Sequence, residues 1–219
     1  AFCKITKLSI EKIAPSFVLT FFFNMLFFFF YKSYSFTGVI GIVLALWIIF
    51  NNLTIIFQKK INQPYGMIIA HLGIGLLILG ITGSTVWQKE KIVRMNINKE
   101  ININNYNIVF KEIKEITKSN YVALRGSFLV YDNKKNIVKI LKPENRFYTI
   151  TQNFTTEVAI HTNIVRDIYL VLGEGSKKDG WIVRVYYNPL VLWIWIGAFM
   201  IALGGVISMN SNLRKAKYL

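Results

Sequence analysis

The chain has 219 residues, of which 53% are hydrophobic, and a formal charge of +15. With a mean hydropathy of +0.41 it is too apolar for an ordinary soluble domain and fits a membrane protein with a soluble part. One cysteine, Cys3, and two histidines exclude an internal disulfide and Cys/His metal centres. The lysines and arginines sit between and beside apolar runs, so topology and lipid head groups explain them, and no nucleic-acid motif accompanies them.

The first apolar run, about residues 13–30, is rich in Phe and follows Lys4, Lys7 and Lys12. It reads as a retained span, because no small-x-small cleavage site follows it. A second span covers about residues 36–57. The third, Tyr65 to Trp87, has 23 residues and no formal charge, which is long enough to cross the hydrocarbon core. It carries His71, the only group in the run that titrates near neutral pH. An imidazole in an apolar span needs a partner, which makes His71 a candidate ligand or proton relay. The alternative is an imidazole bonded to a carbonyl or hydroxyl of a neighbouring helix.

Spacing within this span adds two expectations. Gly66, Gly73 and Gly80 recur every seven residues and form a smooth face for another helix. Gly75 stands one turn above His71, leaving room for a flat group such as haem, or else serving ordinary helix packing.

Residues 88–188 read as a domain of short β-strands. The runs KIVRMNI, YNIVFKEI, YVALRGSFLVY, NIVKIL, RFYTITQ, DIYLVLGE and WIVRVYY are punctuated by Asp132–Asn133, Gly173, Gly175 and Gly180, a spacing that predicts a small barrel or sandwich. Its 17 basic and 10 acidic residues read mainly as a solvated surface. His161 reads as a surface histidine. A fourth span is expected over residues 189–209, with Pro189 at the helix start, Trp193 and Trp195 at an interface, and Gly197, Gly204 and Gly205 as close-contact positions. Residues 210–219 form a tail. No nucleophile elbow, phosphate loop or intramembrane carboxylate pair is present, so no catalytic residue is assigned.

The fold class is therefore a polytopic α-helical membrane protein of four spans, with an extracytoplasmic all-β domain between spans three and four. Lysine-rich ends and Lys59 and Lys60 in the second connection predict N-in, C-in topology. His71 then lies about six residues into its span, roughly 9 Å deep.

Several segments in this order resemble a known family. They are GMIIAHLG around His71, NYVALRG (Asn120, Tyr121), KPENRFY (Pro143, Glu144, Arg146, Tyr148), TTE (Thr155 to Glu157), RDIYLVLGE (Arg166, Asp167, Tyr169, Gly173, Glu174), and Trp181, Arg184, Pro189, Trp193, Trp195, Gly197, Gly204 and Gly205. From about residue 36 to its end, the chain resembles the carboxy-terminal part of the CcmF family of haem lyase subunits. The resemblance implies a bacterial or mitochondrial inner-membrane protein in cytochrome c-type biogenesis. Such proteins take haem from a CcmE-type chaperone, work with CcmH-type partners, and attach haem to the two thiols of a CxxCH motif in apocytochrome c. It also implies a membrane haem b with two axial histidines, reduced from a quinol pool. His71 matches one of those ligands, with Gly75 beside the macrocycle. Lys59 and Lys60 are candidates to face its propionates, although topology already accounts for them.

The departures are equally specific. The family's tryptophan-rich WWD segment, its two flanking external histidines and its other membrane histidine have no counterpart here. A fragment or one piece of a split protein is expected. Two readings compete with the haem lyase: a membrane scaffold whose β domain docks partner proteins, and a transporter component, disfavoured by a single titratable residue within the spans.

Overall fold

The computed structural model describes residues 2–30, 35–57 and 65–216. They divide into a helical unit, Ala1–Val86 with Leu190–Leu219, and a β unit, Trp87–Pro189.

In the helical unit, α1 spans Phe2–Phe30, α2 Phe36–Phe57, α3 Tyr65–Val86 and α4 Val191–Ala216. Among the described residues, three stretches are long and apolar enough to cross a membrane: α2, α3 and Val191–Met209 of α4. In α1 the apolar stretch among the described side chains runs Ala14–Phe27. Its polarity is inverted. Ser16, Thr20 and Asn24 are buried, while Phe17, Val18, Leu19, Phe21, Phe22 and Phe23 are exposed. A helix that hides its polar stripe and presents Phe outward is built for an apolar solvent.

The seven-residue glycine pattern does what the sequence predicts. A Cβ at Gly73 would stand 2.7 Å from the Gly197 carbonyl, and a Cβ at Gly197 would stand 2.6 Å from the Gly73 carbonyl. Gly66 and Gly204 oppose each other in the same way, and Gly80 meets the α4 backbone at Ile194. The two helices therefore touch backbone to backbone. Gly205 departs from expectation: nothing lies within 4 Å of its Cβ position, so it takes no part in the seam.

The β unit is a sandwich, which resolves the barrel-or-sandwich alternative. One sheet has the order β1-β10-β9-β8, from β1 Lys89–Met95, β8 Ala159–Thr162, β9 Arg166–Ser176 and β10 Gly180–Pro189. The other has the order β2-β3-β4-β6-β7, from β2 Glu100–Ile103, β3 Tyr106–Thr117, β4 Tyr121–Asp132, β6 Glu144–Tyr148 and β7 Asn153–Glu157. β5, Ile137–Leu141, pairs with β4 beside β6, so the long β4 carries two short strands on one edge. Alternation puts Ile108 and Phe110, Phe128 and Val130, Ile168, Leu170 and Leu172, and Val183 and Val185 between the sheets, each at 0% exposure. Phe110 stacks on Phe128 at 4.4 Å and meets Trp181 edge-on at 5.7 Å. Each such ring contributes about 1.5–3 kcal/mol by burial.

Three strands have no counterpart among the predicted runs: β2, β7 and β8. The fourth helix also starts later than expected. Pro189 ends β10, paired with Arg166 on β9, rather than opening α4. Leu190 follows with φ +60° and its carbonyl accepts the Trp193 N–H at 3.0 Å, so the helix begins at Val191. α4 then continues through most of the expected tail, to Ala216.

Candidate functional site

His71 sits on α3 with its side chain exposed. Its Nδ1 lies 2.7 Å from the Met67 carbonyl, one turn back. A carbonyl only accepts, so Nδ1 carries the proton and donates. In the neutral ring the lone pair is then on Nε2. The bond is made to a carbonyl of its own helix rather than of a neighbouring one. Its neighbours on the uncovered face are Ile74 and Ile81, both exposed.

Gly75 faces α2. It is buried, and a Cβ there would stand 2.6 Å from Ile49 Cγ1 and 3.3 Å from the Ala45 carbonyl on α2. Ile49 packs against Gly75, the geometry of the helix-packing reading of this residue. Lys59 and Lys60 lie outside the described residues. No group of three or more His, Cys, Asp or Glu side chains converges among the described residues.

In the β unit the charged residues of the KPENRFY and RDIYLVLGE segments divide into two sets. Glu144 is 5% exposed and is bridged by Arg146 at 2.7 Å and by Arg125, while Arg146 also reaches Glu157 at 3.2 Å. Arg146 stacks over the Tyr121 ring at 4.7 Å. Burial pushes the Glu144 carboxyl up, but the hydrogen bonds from Arg146 and Arg125 outweigh it and hold the group below its usual range. Arg166, 2% exposed, lies over Tyr106 at 4.1 Å and donates from Nη1 to the His161 carbonyl at 3.2 Å. Asp167 is 9% exposed and its Oδ1 has no partner; burial raises its carboxyl above the ordinary value. His161 is half-buried, and burial followed by Arg166 lowers its basicity. These features tie strands together and converge on no open reaction centre.

Sequence reading missed Arg125, the second arginine on Glu144. It also missed the Ser16–Thr20–Asn24 stripe, whose signal was polar residues at intervals of four inside a Phe-rich run.

A β-sandwich joined in sequence to apolar helices on both sides defines the class: a membrane-associated protein carrying one all-β domain. Residues 86–189 match the family model described as the CcmF C-terminal beta-sandwich. The chain is 38% identical over 154 residues to the cytochrome c-type biogenesis protein CcmF of Escherichia coli, covering 69% of this chain and 23% of that protein. It is 29% identical over 199 residues to CcmF of Pseudomonas fluorescens, covering 85% and 30%. A solved structure of cytochrome c heme lyase CcmF shares the fold with a TM-score of 0.69 at 14% identity, over 89% of this chain and 33% of that one. The chain is related to the carboxy-terminal part of the CcmF family of cytochrome c-type biogenesis proteins. It spans about a quarter of the length of these curated relatives.

Proposed function

We propose that this chain supplies one axial imidazole, from His71, to a b-type haem within the membrane, as part of a haem lyase assembly that attaches haem covalently to apocytochrome c. The observation that carries the reading is the bond from His71 Nδ1–H to the Met67 carbonyl at 2.7 Å. It fixes the tautomer and the ring orientation, and leaves Nε2 available on an exposed face of an apolar helix. Iron ligation is also the partner that an intramembrane imidazole requires. Haem held in this way supplies one-electron chemistry, with a quinol as the electron source.

The chain's own role is to hold and orient. Its other histidine, His161, belongs to β8 of the β unit, so the second axial ligand is assigned to a different polypeptide segment. The thioether chemistry and haem delivery belong there too, with CcmE-type and CcmH-type partners. The lysine distribution supports an inner-membrane protein with both ends inside and the β unit in the periplasm or intermembrane space.

The test is a reduced-minus-oxidised absorption spectrum of the complex purified in detergent, for wild type and His71→Ala. A b-type α-band lost in the variant is expected. A band that survives in a complex shown to contain this chain overturns the ligand assignment. No band in either sample favours a docking scaffold.

A further inference from the structure

Both connections to the apolar helices leave the sandwich at one end. Trp87 and Gln88 alone separate α3 from β1, and Leu190 alone separates β10 from α4. Lys89, the first residue of β1, pairs with Tyr187 near the end of β10. The β8–β9 turn lies at this end too, because Pro189 pairs with Arg166, the first residue of β9. So does the β4–β5 turn. Asp132, the last residue of β4, pairs with Tyr106, whose ring lies 4.1 Å from the Arg166 guanidinium.

The two turns carry different chemistry. Ile164 and Val165, in the β8–β9 turn, are 65% and 60% exposed, at a position where turns ordinarily carry small polar residues. Asn163 holds the backbone beneath them. Its Oδ1 accepts the Val165 and Arg166 N–H groups at 2.9 and 2.7 Å, and its own N–H donates to the Arg166 carbonyl at 3.0 Å. Those donors need no water, as a segment entering an apolar phase requires. The β4–β5 turn supplies cations, the exposed Lys134 and Lys135. Apolar side chains beside lysines match the boundary of a leaflet with anionic head groups, which rewards both.

The chain length fits. From Pro189 to Val191 is two Cα steps, at most about 8 Å. The polar layer on each side of a bilayer is about 5–8 Å thick. Val165 continues the sheet one residue past the Arg166–Pro189 pair, at the level of Leu190, and so falls within that layer.

We propose that this end of the sandwich rests on the bilayer that α3 and α4 enter, with Ile164 and Val165 inserted at the boundary of head groups and acyl chains and Lys134 and Lys135 on anionic phosphates. The inference rests on α3 and α4 being membrane spans and is independent of the haem ligand.

The test places a fluorescent non-natural residue at Val165, Ile150 or Phe199, one at a time, in the full chain within its purified complex in nanodiscs. Ile150, 83% exposed, belongs to the β6–β7 turn at the other end, since Tyr148 pairs with Tyr121, the first residue of β4. Phe199, 69% exposed, is on α4. Brominated lipid is expected to quench the reporters at 165 and 199 and spare the one at 150, and aqueous iodide to do the reverse. Brominated anionic lipid should quench position 165 more than brominated zwitterionic lipid, a preference lost in the double variant Lys134→Gln, Lys135→Gln. Lipid quenching at 199 with iodide quenching at 165 overturns the inference alone. A reporter at 165 shielded from both quenchers means that protein covers this end, which overturns it too. Absence of lipid quenching at 199 overturns the membrane reading itself.

Discussion

Glu144 and Arg146 stand two positions apart on β6 and meet at 2.7 Å. Side chains at i and i+2 of a strand share a face, so the pair is preset by local geometry. Arg125 is different: it reaches Glu144 only because β4 and β6 pair with Arg125 opposite Glu144. Glu144 thus draws one arginine from its own strand and one from its neighbour.

A pH dependence of stability follows, with opposite signs at two carboxylates. The folded Glu144 carboxyl lies below its ordinary value of 4.5. Its contribution is therefore present above about pH 4.5 and is lost as pH falls through the folded value. Asp167 is raised from 3.8, so its contribution is full below that pH and is lost as pH rises through the folded value. At pH 7, Glu144→Gln should destabilise the chain by about 3 kcal/mol, because two arginines lose a buried partner. Asp167→Asn should be neutral or stabilising. Thermal melts of the three proteins between pH 3 and 8 check this. A Glu144→Gln melt that matches wild type at pH 7 counts against the network.

Gly73→Leu should part α3 from α4. Its Cβ would meet backbone atoms, the Gly197 carbonyl at 2.7 Å and the Ile201 nitrogen at 2.9 Å, and backbone cannot rotate aside as a side chain can. Overpacking of this kind costs about 1–3 kcal/mol. Gly205→Ala, with open space at its Cβ, should leave the seam intact. Disulfide trapping between cysteines placed on α3 and α4 reads the difference, and equal trapping in both variants would count against the contact.

Lys135→Gly should stabilise the β4–β5 turn. Lys135 holds φ +63°, a region costing a side chain about 1 kcal/mol that glycine enters freely. The Asp132 carboxylate already fixes the loop, accepting the Lys134 and Asn136 N–H groups at 2.8 and 2.9 Å, so the added freedom of glycine is contained. A melting temperature raised by a few degrees is expected; a decrease would show that the lysine side chain supports the turn.

Much of the architecture was legible because it is periodic. The seven-residue glycines of α3 gave the face that meets α4, and strand alternation gave the two inner faces of the sandwich. What escaped reading depends on a second segment. β2, β7 and β8 have only four or five residues, and β7 is exposed along its whole length. These strands exist because a neighbour offers a ladder, which their own composition does not announce. Gly75 has a free flank only if α2 is ignored; Ile49 decides what that flank holds. At Pro189, helix-start chemistry competed with pairing to Arg166 across the sheet, and the sheet prevailed. His71 was legible as a lone imidazole in an apolar span, whereas its bond to the Met67 carbonyl one turn back was not.

The glycine seam sets an order of events during synthesis. α3 ends at Val86 and α4 begins at Val191, so the ribosome must make the whole sandwich before the second half of the seam exists. At about 5–20 residues per second, the glycine face of α3 waits some 5–20 seconds without α4 against it. That delay makes it the surface most open to mispairing while the chain is being born.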